Sequence, residues 1–387
     1  GSYGETGSQA ITPYQSLASF STTSYVLGGN SAVALVPGRV PNPDLKWETT
    51  KQTDIGIDLS VLGGRISLVA DYYYKKTIDL HYDKILPYYT GYSSQTQNIG
   101  SKQNKGWEFS LNTQNLVGDL KWSTSVNIAL NKEKVLDLGD DQYFYTNGSG
   151  GALGAGFNET GIVQVGKPLG NFYGYVFDGI YQNQAEVNKL SSSTARVGAV
   201  KFKDLDGDGK LTDKDRDYLA CDVPDITYGV NLNLRYKGFE LSMFGQGVTG
   251  TMVRFYQEQA WAFSDNASPR EFHLKRWTVD NPDPNAAYPR IYPRTSAHST
   301  FNNKFSDFWL FDSDYFRIKN ITFGYNFNKH QIQHLGVDAL KLYVSAENPF
   351  TIRADHRMED FDPETPSGRG TDTRGTSSIS LGVNLTF

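Results

Sequence analysis

The last nine residues alternate without a slip: Ile379, Leu381, Val383, Leu385 and Phe387, with Ser380, Gly382, Asn384 and Thr386 between them. Side chains along a strand point to opposite faces in turn, so this segment has one apolar face and one small, polar face. Chain ends fray unless tied down, and a two-faced strand at an end needs two environments to match it. The wall of a membrane barrel supplies both, with lipid outside, a wet lumen inside and an aromatic residue at the interface.

The same alternation recurs in pairs. Asp54–Ser60 leads through the turn Leu62-Gly63-Gly64-Arg65 into Ile66–Lys75, a hairpin signal. In the return segment Ile66, Leu68, Ala70, Tyr72 and Tyr74 share one face, and Ser67, Asp71 and Tyr73 the other. Trp107–Asn112 and Leu120–Asn131 turn at Gly118-Asp119; Tyr228–Tyr236 and Phe239–Met243 turn at Lys237-Gly238; Ile321–Phe327 is followed by Leu340–Ala346. With a strand implied at residues 1–6, we count about ten.

Connections alternate in length. Short ones near 62–65, 117–119, 237–238 and 328–338 are interleaved with long ones over roughly 80–95, 132–223, 250–312 and 350–376. Periplasmic turns are short and extracellular loops long in outer-membrane barrels, whereas a sandwich or propeller is not expected to sort its loops this way. The fold class expected is all-β, a transmembrane antiparallel up-and-down β-barrel to which this chain contributes about ten strands. Its lumen face would carry Asp71, Glu108, Asn112, Asn127, Asn131, Asn231, Asn233, Glu240 and Ser242. An open sheet edge in lipid leaves backbone groups unpaired, so strands upstream of Gly1 are expected to complete the wall. The opening Gly1-Ser2-Tyr3 is not a signal peptide, which agrees with the chain being the C-terminal part of a longer polypeptide.

Composition excludes several classes. No run approaches the roughly 20 apolar residues of a membrane helix, which leaves a barrel open because only alternate residues meet lipid. Aromatic residues make up 13% of the chain, including 24 Tyr, and Tyr and Trp suit a membrane–water interface. A net charge of −5 with mixed signs gives no electrostatic footprint for nucleic acid. Cys221 is the sole cysteine, so no intrachain disulfide forms. There is no nucleophile elbow and no phosphate loop, and no catalytic residue or covalent chemistry is expected.

One motif carries sharp chemistry. Asp204-Leu-Asp206-Gly-Asp208-Gly209-Lys210-Leu-Thr212-Asp213-Lys214-Asp215 follows the twelve-residue calcium loop. Asp204, Asp206 and Asp208 wrap carboxylates around one hard cation, and Gly209 makes the sharp turn. The Lys210 carbonyl and Thr212 supply the next two positions, and Asp215 closes the loop. Asp is shorter than the usual closing Glu, which admits Mg2+ beside Ca2+. Val200-Lys-Phe202-Lys203 before the loop reads as strand rather than entering helix, so a structural ion staple is expected and not a calcium switch. Aromatic residues crowd the long loops; Tyr88, Tyr89, Tyr143, Tyr145, Trp261 and Trp309 are the candidates for stacking on a substrate or packing on a partner. The acidic run Glu359–Glu364 reads as a solvated loop.

These segments also resemble a family. Tyr3-Gly-Glu-Thr6-Gly7-Ser8-Gln9, Asn42-Pro43-Asp44-Leu45-Lys46-Trp47-Glu48-Thr49, Gly166-Lys-Pro168 with Phe172-Tyr173-Gly174-Tyr175, Asp178-Gly179-Ile180-Tyr181-Gln182-Asn183, Val200–Gly209 and Tyr236–Ser242 are similar, in this order, to the C-terminal barrel half of SusC/RagA-type TonB-dependent outer-membrane transporters of Bacteroidota. Ser8 stands where that family has Asn. The resemblance implies a plugged barrel of about 22 strands, a SusD-like surface lipoprotein on the extracellular loops, and coupling to TonB. The expected function is energised import of a glycan or peptide nutrient across the outer membrane, with plug and TonB box outside this chain. Two rivals stand beside it: a soluble calcium-stabilised protein that binds or cleaves glycans, which needs no detergent, and a structural barrel of an assembly or adhesion complex, which needs neither plug nor lid.

Overall fold

A computed structural model describes residues 1–387 except 10, 93, 147–159, 191–193, 257–259, 265–267, 294, 335 and 365–374, and except the side chains of 85 and 88. Ten strands form one antiparallel sheet in strict chain order. They are β1 (Ser2–Ser8), β2 (Glu48–Val61), β3 (Ile66–Ile78), β4 (Ser101–Val117), β5 (Leu120–Asp137), β6 (Ile226–Tyr236), β7 (Phe239–Thr249), β8 (Tyr315–Asn326), β9 (Ala339–Arg353) and β10 (Ser378–Thr386). Every segment read as a strand from its alternation lies on one of them. Most run further than the alternation did, because the longer ones continue past the apolar belt into polar sequence.

Register turns ten alternating segments into two continuous faces. Leu59 pairs with Leu68, and Leu68 with Leu111; Leu111 pairs with Val126, and Val126 with Val230. Beyond these, Leu234 meets Leu241, Leu241 meets Phe323, Phe323 meets Val344, and Val344 meets Leu381. This apolar face is uncovered: Ile57, Leu59, Phe109, Ile128, Phe323 and Leu342 are exposed, and Leu381 is 87% exposed. A soluble protein does not leave so broad an apolar surface in water; here it is the lipid-facing side of a barrel wall. Ring contacts join Phe239 to Phe323 and Tyr325 at one end of the belt, and Tyr72 to Trp107 toward the other, as interfacial girdles do.

The opposite face carries the polar set. Asp71 pairs with Glu108, Asn112 with Ser125, Asn127 with Gly229, and Asn233 with Ser242. Tyr73 lies over Gly106, where a Cβ would sit 2.6 Å from its hydroxyl, and donates to Asn131 Oδ1 at 2.8 Å. Only glycine leaves room for that ring.

Antiparallel pairing puts the turns at 62–65, 118–119, 237–238 and 327–338 at one end of the sheet and the longer connections at the other. Leu62, Gly63 and Gly64 all take positive φ, which suits the glycines of a tight hairpin. The connection of residues 9–47 belongs to the long set and escaped the sequence reading. It folds as a hairpin, Ser19–Leu27 with Asn30–Arg39. Its strands, rich in Ser, Thr and Ala and carrying Arg39 as their one charged residue, alternate too weakly to be read as such. The loop expected from 132 begins after Asp137, and residues 81–98 contain the short hairpin His81–Ile85 with Ser94–Asn98.

Val383 sits mid-strand on the outward face, opposite Leu342. Val383→Lys should weaken membrane assembly by about 2–4 kcal/mol, read as loss of heat-modifiable, membrane-inserted receptor; wild-type levels would contradict the face assignment. Membrane-impermeant labels on whole cells should reach cysteines placed in 138–225 and 250–314 but not at Leu62; labelling at Leu62 would invert the topology.

Candidate functional site in the loop cap

The dry core of this protein lies above the wall, in the loops. Tyr175, Tyr181, Val200 and Phe202 from one connection pack with Phe255, Phe272, Tyr288, Phe301, Trp309 and Phe311 from the next, and with Met358 and Phe361 from the last. Strands β8 and β9 separate the last pair from the rest in sequence, so the core exists only once the wall has brought three loops together. Burial pushes the Tyr175 and Tyr181 phenols up to about 12, with nearby Asp213 adding to the shift at Tyr175 and Asp178 at Tyr181. Both phenols stay neutral across the physiological range; Tyr175 donates to Asp213 Oδ1 at 3.4 Å.

The acidic loop hangs from the edge of this core. Val200–Phe202 pairs with Phe177–Ile180 and is buried, which fixes its entry. Ligand oxygens of Asp204, Asp206 and Asp208 lie within 4.8 Å of one another. Backbone N–H groups orient the carboxylates: Gly207 and Gly209 donate to Asp204, each at 2.8 Å, and Lys210 donates to Asp208 at 2.8 Å. Lys214 Nζ is 3.8 Å from Asp206. Asp215 does something else. It is wholly buried, and its two oxygens accept from the N–H groups of Leu205 at 2.8 Å and Thr212 at 2.7 Å. The fully buried carboxylate therefore braces both ends of the loop, and Thr212 caps the short helical turn Asp213–Asp215 through Lys214 N–H.

The aromatic candidates part company. Tyr143 and Tyr145 lie on a four-stranded loop sheet, partly exposed, with ring centroids 5.4 Å apart; Tyr145 continues to Tyr173 at 5.2 Å, and the Arg216 guanidinium covers Tyr173 at 4.6 Å. Tyr89 is open to solvent, and the side chain of Tyr88 lies outside the described residues. Trp261 packs partly buried against the cap core. Trp309 is 2% exposed and donates to the Asn302 carbonyl at 3.1 Å. It is a core residue with no face left for a ligand.

The acidic run near residue 360 corrects the reading of a solvated loop. Residues 355–364 fold down onto the lumen face of the wall. Arg317, 3% exposed on β8, donates to Asp362 at 2.7 Å and to Glu364 at 2.8 Å. Lys319 and Gln246 also donate to Glu364, at 2.7 and 2.8 Å. Above, Phe361 stacks on Phe255 at 4.2 Å and under Arg270 at 4.6 Å. One segment thus joins the cap core to the barrel wall. Burial alone would raise the Asp362 and Glu364 carboxyls, but Arg317 and Lys319 outweigh it and hold both below the usual range.

The family model described as TonB dependent receptor-like, beta-barrel, matches residues 1–348. The chain belongs to this family. As a receptor barrel of this kind it is an outer-membrane protein. It is 35% identical over 384 residues to TonB-dependent receptor P3 of Formosa agariphila, covering 98% of this chain and 37% of that protein. It is 29% identical over 349 residues to TonB-dependent receptor SusC of Bacteroides thetaiotaomicron, covering 84% and 30%. The receptor barrel thus spans well under half the length of these relatives. Among solved structures it superposes on the RagAB peptide transporter with a TM-score of 0.76 at 22% identity, covering all of this chain and 40% of that one.

Sequence alone did not mark Arg317, Lys319 or Gln246 of the receptor as partners of Asp362 and Glu364. The pairs are 45 or more residues apart, except that the signs of charge were there to be read: two cations on one face of β8, and an acidic run after β9. Depressed carboxyls contribute stability above their unfolded pKa of about 4, and that contribution is lost as pH falls through their folded values. Proteolysis within 355–364 of the detergent-solubilised receptor should therefore stay flat from pH 8 to about 5 and rise below about 4; release between pH 6 and 8 would contradict the latch. Arg317→Ala, which strands buried carboxylates, should cost roughly 3 kcal/mol locally and open the same sites at neutral pH.

Proposed function

We propose that this chain forms part of the wall and the extracellular cap of a TonB-energised importer, which takes up a glycan or peptide nutrient with a SusD-like surface lipoprotein. The observation that carries this reading is the cap itself: three loops share one core over a polar lumen, and a charged latch ties that core to the inside of the wall. Cargo captured beneath the lipoprotein would meet the cap, then pass a lumen lined by groups such as Asp71, Glu108, Asn127 and Asn231 once TonB displaces the plug. The wall needs further strands to close, since the edges β1 and β10 are not paired with each other among the described residues and lipid offers their backbone no partner. The work is binding and passage; no bond is made or broken. In cells carrying the intact locus, growth on the cognate glycan or peptide should require TonB, the receptor and the lipoprotein together. Uptake undiminished without TonB would overturn the reading.

We further propose that Asp204, Asp206 and Asp208, with the Lys210 carbonyl and Thr212, hold a structural Ca2+, a site that Mg2+ can share. Converging hard oxygen donors are the set such a cation takes, and Asp215 acts as the brace that keeps them convergent. Asp208→Ala, or a chelator, should raise protease cutting within 200–220, and Asp215→Ala should do so irrespective of chelator. Equal cutting of the wild-type receptor with and without chelator would refute a bound ion.

A further inference from the structure

The outward face of the wall changes character above the belt on one side of the sheet. Following register across the strands, Ile55, Tyr72, Trp107 and Leu130 form one cross-strand row. The next row toward the loops is Thr53, Tyr74, Lys105 and Lys132. The one beyond is Lys51, Lys76, Gln103 and Lys134. Five lysines on four neighbouring strands therefore share the lipid-side face directly above a tyrosine–tryptophan girdle. Lys51 stands directly opposite Lys76, and Lys105 directly opposite Lys132, at a spacing where like charges repel.

For four of the five the charge is not answered from within the described residues. Lys51 meets Glu5 at 3.2 Å, but no carboxylate pairs with Lys76, Lys105, Lys132 or Lys134 among the ion pairs of the described residues. Several lumen-face cations do meet carboxylates: Lys102 meets Glu133 at 3.2 Å, Lys341 meets Glu240 at 2.7 Å, and Arg317 and Lys319 meet the latch. Nor does the feature run around the rim. At the same end of β6, β7, β8 and β9 the outward positions are Ile226, Thr249, Phe316 and Ile352. The patch is local, spans β2 to β5 rather than the open edges β1 and β10, and lies one and two rows beyond the aromatic girdle on the long-connection side.

We propose that Lys76, Lys105, Lys132 and Lys134 bind the phosphorylated headgroup of an outer-leaflet glycolipid, whose acyl chains lie against the apolar belt below. Charge complementarity selects this occupant. Basic clusters at a membrane surface attract anionic headgroups, the girdle beneath marks the interface, and the aliphatic lysine stems can lie along the belt while their ammonium groups reach outward. The inference is independent of the cargo and of TonB coupling.

The test uses the full-length receptor purified in mild non-ionic detergent, titrated with a bis-phosphorylated glucosamine glycolipid and with its dephosphorylated counterpart. Native mass spectrometry counts the lipid retained, and heat-modifiable gel mobility reports folding. Wild type should retain the phosphorylated lipid preferentially and release it as salt is raised. The quadruple variant Lys76→Gln, Lys105→Gln, Lys132→Gln, Lys134→Gln should lose at least about tenfold in retention, whereas the inward-facing Lys75→Gln should not. The corresponding quadruple Lys→Arg variant keeps the charge and should bind as wild type, which covers the case in which the Gln variant fails to fold. Equal retention of the two lipids, retention insensitive to salt, or a photocrosslinker at residue 105 that captures protein instead of glycolipid would overturn the proposal.

Discussion

A backbone amide in hydrocarbon has no water to bond to, so each must be paired within the protein. That constraint organises the whole molecule. It makes the ten strands neighbours in chain order, because the shortest route to a paired edge is the preceding strand. It forces one uninterrupted register, and that register adds ten modest alternations into one apolar and one polar surface. It also sends every long connection to one end, since a strand that has crossed must return beside itself.

Stability is then divided between two regions with different chemistry. The wall is held by its hydrogen-bond ladders and by lipid against its apolar face, and few of its side chains are buried. The cap is a conventional core of packed aromatic and aliphatic groups. Residues 355–364 join the two, with Met358 and Phe361 in the core and Asp362 and Glu364 on Arg317 and Lys319. A buried ionic cluster adds little stability over an apolar equivalent, but losing one partner is costly. Its use here is positional: charge fixes where the cap stands over the lumen.

Legibility from sequence followed the range of the interaction. Ile66–Lys75 and Tyr228–Tyr236 could be read because alternation and a glycine turn are local. The Asp204–Asp208 cluster could be read because its spacing is local as well, whereas the bracing by Asp215 depends on Leu205 and Thr212 N–H groups whose direction spacing does not give. Trp309 looked like Tyr143 in the sequence, a large aromatic residue in a long loop. Which of them is buried depends on loops from three separate connections meeting, and nothing near either residue encodes that.

By itself the sequence determined the period of the strands, the chemistry of their two faces, the sorting of connections by length and the ligand spacing of the acidic loop. Each is a property of residues within a dozen positions of one another, where covalent geometry sets the distances. Tertiary structure alone decided the common core of the cap, the burial of Trp309, the latch of Asp362 and Glu364 on β8, and the gathering of five lysines on one outward patch. These join residues that are brought together only when the sheet closes its register, and register is a collective outcome of every strand pairing at once.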